Sequence, residues 1–448
     1  MINVSDATKA AFLNSSTQKT ILIEFPNLNM VLSNEDIVSE SFSLTQTLES
    51  ERNLSFKGCN ASQVKFQAAE IAEDLRGQLM TVTIQAGNTE PIKLFTGFVE
   101  SQSNLTQEDF ITDIVAYDAF YKMSNITIEN FKRTVPYYGT VFWFYFNHDI
   151  GLRDILKYLD DNFGLLGYNE NKTYYDNLIE TTERKFFNDW RSGVYDPEQF
   201  QAVNGSMKLI EVMRYLCQSI GVYGYIDGNG LLNFKELTPF NRGTYPGQNT
   251  IPADNLYPAG ENTDLIFDQS DYISARYEPY DVEKISALKL HLPSGKTSIF
   301  YEPQNNKILD YGSDSFRIAF SSLYQNEAAK ARVSKIWYKP SMIKVVGRPW
   351  VEVGDSYIYT TRRNVVRSYV LKRTLKGIQS LFDTYEADGE DTKDYDVFET
   401  GSGTNIEAMS LSVGTGSDDG YITVNGHTVT FKNVTISGTT YHLLGYTD

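Results

Sequence analysis

Apolar residues recur at every second position through the run from Ile37 to Gly97. Phe42, Leu44 and Leu48 are followed by Val64, Phe66 and Ala68, then by Met80, Val82 and Ile84, with Gly58, Gly77 and Gly87 as punctuation. A period of two sends alternate side chains to opposite faces of a strand, so one face is buried and the other is wet. Glu40, Ser43, Lys65, Gln67 and Thr83 suit the wet side, and the stretch predicts an antiparallel β unit. Thr20 to Phe25 has strand chemistry, Phe110 to Ala116 supplies a return strand, and Val4 to Leu13 reads as a short helix with Ser5 as its N-cap. Together these predict a first β domain over residues 1–130.

From Asp149 the period changes. Leu152, Ile155, Leu156, Leu159 and Phe163 form the apolar stripe of an amphipathic helix, whereas residues 168–201 carry no clean stripe. A second helix opens at Gly205 and Ser206, buries Leu209, Ile210, Met213, Leu216, Cys217 and Ile220, and ends at Gly221. VYGYI and LLNFKEL then flank Asp227, Gly228, Asn229 and Gly230, residues that tolerate positive φ and so predict a β-hairpin. This helix-containing insert spans 131–240.

After a Pro- and Gly-bearing connector from Pro239 to Gly260, strands are expected at Ile273–Tyr277, Ile285–Leu292, Trp350–Thr360 and Val365–Leu375, with a short helix near Asn326–Ile336. They predict a second β-rich domain over 241–390. Seven acids between Asp383 and Asp396, followed by GSGTN, point to a linker near 385–405. YITVNGHTVTFKNVTI, with its Asn425–Gly426 turn, predicts a small β appendage within 391–448. The fold class is α+β and mostly β: two antiparallel barrel or sandwich domains with helix-containing inserts. No repeat of solenoid or propeller period occurs.

Composition adds bounds. At 448 residues the chain calls for several domains. Aromatics make up 13%, so much of the core area comes from rings. A formal charge of −17 argues against a protein that grips duplex nucleic acid, since such affinity rests on basic side chains neutralising phosphates. Cys59 and Cys217 have no second Cys or His at ligand spacing, so they read as two buried, reduced thiols. The N-terminus lacks a signal-peptide pattern and no long apolar run occurs, so the chain is expected to be made in a cytoplasm and not to span a membrane by itself.

Catalytic chemistry finds little footing. The four histidines, His148, His291, His427 and His442, sit in no hydrolase or metalloprotease motif. Acid pairs such as Asp160–Asp161 and Asp418–Asp419 read as solvated turns, although sequence does not measure the carboxylate spacing that a glycosidase needs. No enzyme activity, cofactor or metal is expected. Two features remain as candidate interface residues. One is the basic run 361–376, with Arg362, Arg363, Arg367, Lys372, Arg373 and Lys376 and no acid; it reads either as a surface for acidic neighbours or as a hairpin with a basic exposed face. The other is the aromatic cluster around Phe142, Trp143 and Tyr145, which reads as core, subunit contact or sugar platform.

Several segments taken together resemble the N-terminal hub region of phage and prophage tail proteins. They are SERNLSFKGCNASQVKFQ at 50–67, IVAYDAFYKM at 114–123, GLRDILKYL at 151–159, the helix and hairpin at 205–234, YISARYEPYDVEKISALKL at 272–290, and RPWVEVGDSYIY with VVRSYVLKRTLKGIQSLFDTYEADG within 348–389. Their collinear order carries the resemblance. It implies a homotrimer in which two tube-like β domains per subunit, 1–130 and 241–390, form a ring that continues the tail tube at the baseplate or tip of a virion assembled in a bacterial cytoplasm. Tube or distal tail proteins would sit above and a spike, plug or fibre below, with DNA present only in transit. A host-surface glycan-binding tail protein is the alternative, and a peptidoglycan hydrolase a third.

Overall fold

The computed structural model describes residues 1–69, 71–104, 110–127, 208–240, 265–291, 297–301, 307–310, 330, 332–362, 364–390, 420–424, 427–436 and 439–446. The chain divides into a unit of Met1–Thr392 and a second of Lys393–Asp448.

In the first unit, helix α1 (Asp6–Leu13) begins where Ser5 Oγ accepts from the Thr8 amide at 3.2 Å, as a serine N-cap should. Seven strands follow: β1 (Lys19–Phe25), β2 (Met30–Leu32), β3 (Ser43–Thr47), β4 (Gln63–Ala69), β5 (Leu79–Ala86), β6 (Ile92–Asn104) and β7 (Ile111–Tyr117). The expected inward positions Phe42, Leu44, Leu48, Val64, Phe66, Ala68, Met80, Val82 and Ile84 are all buried and Lys65 is exposed, although Thr81 on the other face of β5 is buried as well. Helix α2 (Ala119–Met123) closes this segment.

Helix α3 (Leu209–Ile220) and the hairpin β8 (Tyr223–Ile226) and β9 (Leu232–Lys235) come next. Gly221 ends α3 in the left-handed region, φ 77°, which glycine adopts without steric cost. The helix begins at Lys208, whose amide donates to the Glu211 carboxylate at 2.7 Å. Its expected opening at Gly205 and Ser206 lies outside the described residues, as does the predicted helix at 152–163.

The remaining strands are β10 (Ile266–Phe267), β11 (Tyr272–Tyr277), β12 (Ala287–His291), β13 (Thr297–Tyr301), β14 (Ile308–Asp310), β15 (Ser341–Val346), β16 (Ser356–Thr360), β17 (Val365–Tyr369), β18 (Lys372–Lys376) and β19 (Phe382–Ala387). The predicted strand Val365–Leu375 is two strands. At Val370 and Leu371 the chain leaves a three-stranded sheet, β10-β16-β17, and joins a much larger one.

That larger sheet has eleven strands in the order β11-β15-β19-β18-β3-β4-β7-β6-β5-β1-β2, every neighbouring pair antiparallel. Strands from the N-terminal and C-terminal β segments therefore share one sheet. The seam is β3 against β18, with Leu44 opposite Leu375 and Gln46 opposite Arg373. The described strands form an open sheet, with no closed barrel among them. Buried apolar side chains from Phe12 to Ala387 form one continuous cluster across the seam, and Phe12 of α1 packs on Trp350 at 6.2 Å between ring centroids. Among the described residues no helix is long and apolar enough to cross a membrane.

The second unit contains β20 (Gly420–Val424), β21 (His427–Ile436) and β22 (Thr439–Tyr446) in one antiparallel sheet. Val424 faces His427 across β20 and β21, and the expected Asn425–Gly426 turn lies outside the described residues.

Candidate functional site

The basic run divides once it folds. Arg362 and Lys376 are exposed, and Lys372 is half-exposed and pairs with Glu386 at 3.2 Å. Arg367 and Arg373 are buried, which corrects the expectation that the run as a whole faces outward. Alternation along β18 turns Arg373 inward, whereas Arg367 lies in β17, where four consecutive residues from Val366 to Tyr369 are buried. Arg363 and the aromatic residues Phe142, Trp143 and Tyr145 lie outside the described residues.

Arg373 is 2% exposed and its guanidinium is fully engaged. Nε donates to Asp383 at 3.0 and 3.2 Å, and Nη2 donates to Asp383 at 2.8 Å and to the Arg348 carbonyl at 2.9 Å. Nη1 donates to Gln46 at 3.3 Å and to the Val351 carbonyl. Burial works against the charge, yet the attraction and hydrogen bonds of Asp383 overcome it and hold the Arg373 pKa above its ordinary value. This network joins β3, β18, β19 and the turn before β16, so it positions the seam of the sheet.

A second polar node ties the hairpin to the first β segment. Glu49 is 8% exposed and accepts from the Ser50, Glu51 and Ser55 amides at 3.0, 3.1 and 2.7 Å, from the Ser55 hydroxyl, and from Tyr223 Oη at 3.0 Å. Burial raises the Glu49 pKa, and these hydrogen bonds pull it part of the way back. Below this node Cys59 and Cys217 meet, Sγ to Sγ 3.6 Å, both buried and both free. The sequence reading anticipated two buried thiols but had no signal that 158 positions of separation close to contact.

The eleven-stranded sheet ends in two edge strands. Within that sheet, and among the described strands, β2 and β11 each have a neighbour on one side only. Each edge also displays an apolar side chain, Val31 at 54% exposure on β2 and Ile273 at 54% on β11. Unpaired backbone amides and carbonyls beside an exposed apolar side chain are a template for adding another strand. A surface pocket of about 340 Å³ lies beside β11, lined by Arg52, Arg276, Tyr280, Glu278, Glu386 and Asp388. Its wall mixes both charge signs.

Among the described residues no group of three or more His, Cys, Asp or Glu is placed to hold a metal ion. His291, His427 and His442 fall on β12, β21 and β22; His148 lies outside the described residues.

No protein-family model matches the chain. No curated protein matches it either. Solved structures do. The chain is similar to the tail protein from Neisseria meningitidis MC58, with 9% identity, 83% of this chain and 97% of that one covered, and a TM-score of 0.45. It is similar to the 43 kDa tail protein of prophage MuSo2 from Shewanella oneidensis, with 11% identity, coverage of 83% and 100%, and a TM-score of 0.43. It is also similar to prophage tail protein gp18 from Listeria monocytogenes EGD-e, with 12% identity, coverage of 82% and 95%, and a TM-score of 0.40.

Proposed function

We propose that this chain is a structural subunit of the baseplate or tail-tip hub of a phage or phage-like particle. Three copies form a ring that joins the tail tube to the tip and lines the channel through which genome or other cargo passes. The observation that carries this reading is the eleven-stranded sheet, whose edges β2 and β11 have no further partner among the described strands. A head-to-tail ring gives each such edge a partner, and a rotation that closes leaves no edge free to recruit further chains. The collinear order of the hub-like sequence segments supports the same reading.

In the ring, tube or distal tail proteins stack above and a spike, plug or fibre protein binds below. The net charge of −17 suits a channel wall that repels DNA phosphates and leaves the duplex free to slide. Function then resides in ring geometry and subunit contacts, with no catalytic side chain required.

The test is solution mass by light scattering. The wild-type chain is expected at three times 50.8 kDa. Val31→Lys and Ile273→Lys, each placing a charge at an exposed edge position, are expected to lower the mass while leaving the circular dichroism of the chain unchanged. A wild-type chain that stays monomeric at every concentration overturns the proposal.

A further inference from the structure

The two cysteines are placed for a chemistry that neither has alone. Cys59 lies in the β3–β4 loop with φ 54°, a left-handed conformation that a cysteine adopts only when its surroundings hold it there. Its amide donates to the Gly224 carbonyl at 2.9 Å, which ties the loop to β8. Cys217 sits in the last turn of α3, where its carbonyl accepts from the amides of Gly221 and Val222 at 2.9 and 3.1 Å. Both backbones are therefore fixed, and the sulfurs are left 3.6 Å apart.

Gly224 makes the room. A Cβ at that position would stand 2.6 Å from Cys59 Sγ and 3.3 Å from Cys217 Sγ, so any larger residue would push the sulfurs out of their present positions. The closure needed to form a bond is about 1.5 Å, since a disulfide spans about 2.05 Å. Side-chain rotation at two cysteines can supply a movement of that size.

We infer that Cys59 and Cys217 form a latent oxidative staple, a dithiol that closes to a disulfide when the protein meets a peroxide and then locks α3 and its hairpin to the first β segment. The chemistry balances with hydrogen peroxide as the oxidant. One sulfur attacks the peroxide, an S–O bond forms as O–O breaks, and the departing oxygen takes the thiol proton and leaves as water. The second thiol attacks the sulfenic sulfur; S–S forms, S–O breaks, and the hydroxyl takes the remaining proton as a second water. Two electrons pass from the sulfur pair to the peroxide. Both thiols are buried, so reaction requires brief opening of the helix and hairpin, and closure of the bond suppresses that opening afterwards.

The experiment treats the purified full chain, under native conditions, with hydrogen peroxide, then alkylates remaining thiols in denaturant and maps the digest by mass spectrometry. The expected result is a peptide pair joined through Cys59 and Cys217 within one chain, loss of both free thiols, and their return on treatment with dithiothreitol. The apparent melting temperature of the oxidised wild type should rise by several degrees, and that of peroxide-treated Cys217→Ser should not. Two alkylatable thiols after treatment, separate sulfinic or sulfonic acids, or links between chains would each overturn the inference.

Discussion

Arg373 of β18 and Asp383 of β19 lie diagonally across one strand pair, Arg373 opposite Tyr385 and Leu375 opposite Asp383, and they join through a bidentate ion pair with neither side chain exposed. Tyr385 Oη also donates to Asp383, at 3.2 Å. A buried pair of this kind contributes little against an apolar replacement of both partners, but removal of one leaves an uncompensated charge. Arg373→Ala is therefore expected to cost about 3–5 kcal/mol, seen as a lower urea midpoint. Arg373→Met with Asp383→Leu should recover much of that loss. Equal loss in the double variant would mean that the hydrogen bonds to Gln46, Val351 and Arg348 matter more than the charges.

The hairpin turn docks on β6 through backbone, and it leaves no space for a side chain. A Cβ on Gly228 would lie 2.1 Å from the Lys93 carbonyl oxygen, and Thr96 Oγ1 donates to the Gly228 carbonyl at 2.8 Å. Gly228→Ala should lift the turn from the sheet and cost on the order of 2–3 kcal/mol. Thr96→Val, which removes one hydrogen bond and keeps the shape, should cost about 1 kcal/mol. Hydrogen exchange read at β8 and β9 is expected to speed up strongly in the first variant and slightly in the second.

Asp118 gives the fold a pH dependence of defined sign. Its carboxylate caps α2, accepting from the Phe120 amide at 3.0 Å and from the Ser62 amide at 2.7 Å. Burial pushes its pKa up to about 7, against the pull of those hydrogen bonds. An aspartate in the unfolded chain titrates near ~4, so the folded state holds the proton more tightly. The stability it contributes is fully present below about pH 4 and is lost as pH rises through about 7, by an amount on the order of a few kcal/mol. Urea midpoints measured between about pH 4.5 and about pH 8 should fall for the wild type relative to Asp118→Asn. Parallel pH curves would remove Asp118 as the source.

Much of the local structure was legible in the chain. The inward positions of β3, β4 and β5, the α3 stripe at Leu209, Ile210, Met213 and Cys217, its Gly221 stop and the Asp227–Gly230 hairpin turn are all short-range signals, and all are present. What escaped has one physical cause in several places. In β19, FDTYEA looked like the start of an acidic linker because its buried positions include Asp383, whose charge is compensated by an arginine ten residues away in sequence. The basic run misled for the complementary reason: Arg373 points inward at the residue that neutralises it. Strand β15, SMIKVV, has alternation too brief to stand out. The β3–β18 seam and the Cys59–Cys217 contact depend on pairing between distant segments, about which local periodicity carries no information.

The ring is the central claim, and negative-stain electron microscopy of the purified full chain tests it most directly. The account predicts class averages with threefold symmetry around an open pore. Isolated particles of single-chain size, without rings at any concentration at which the protein stays in solution, would contradict it.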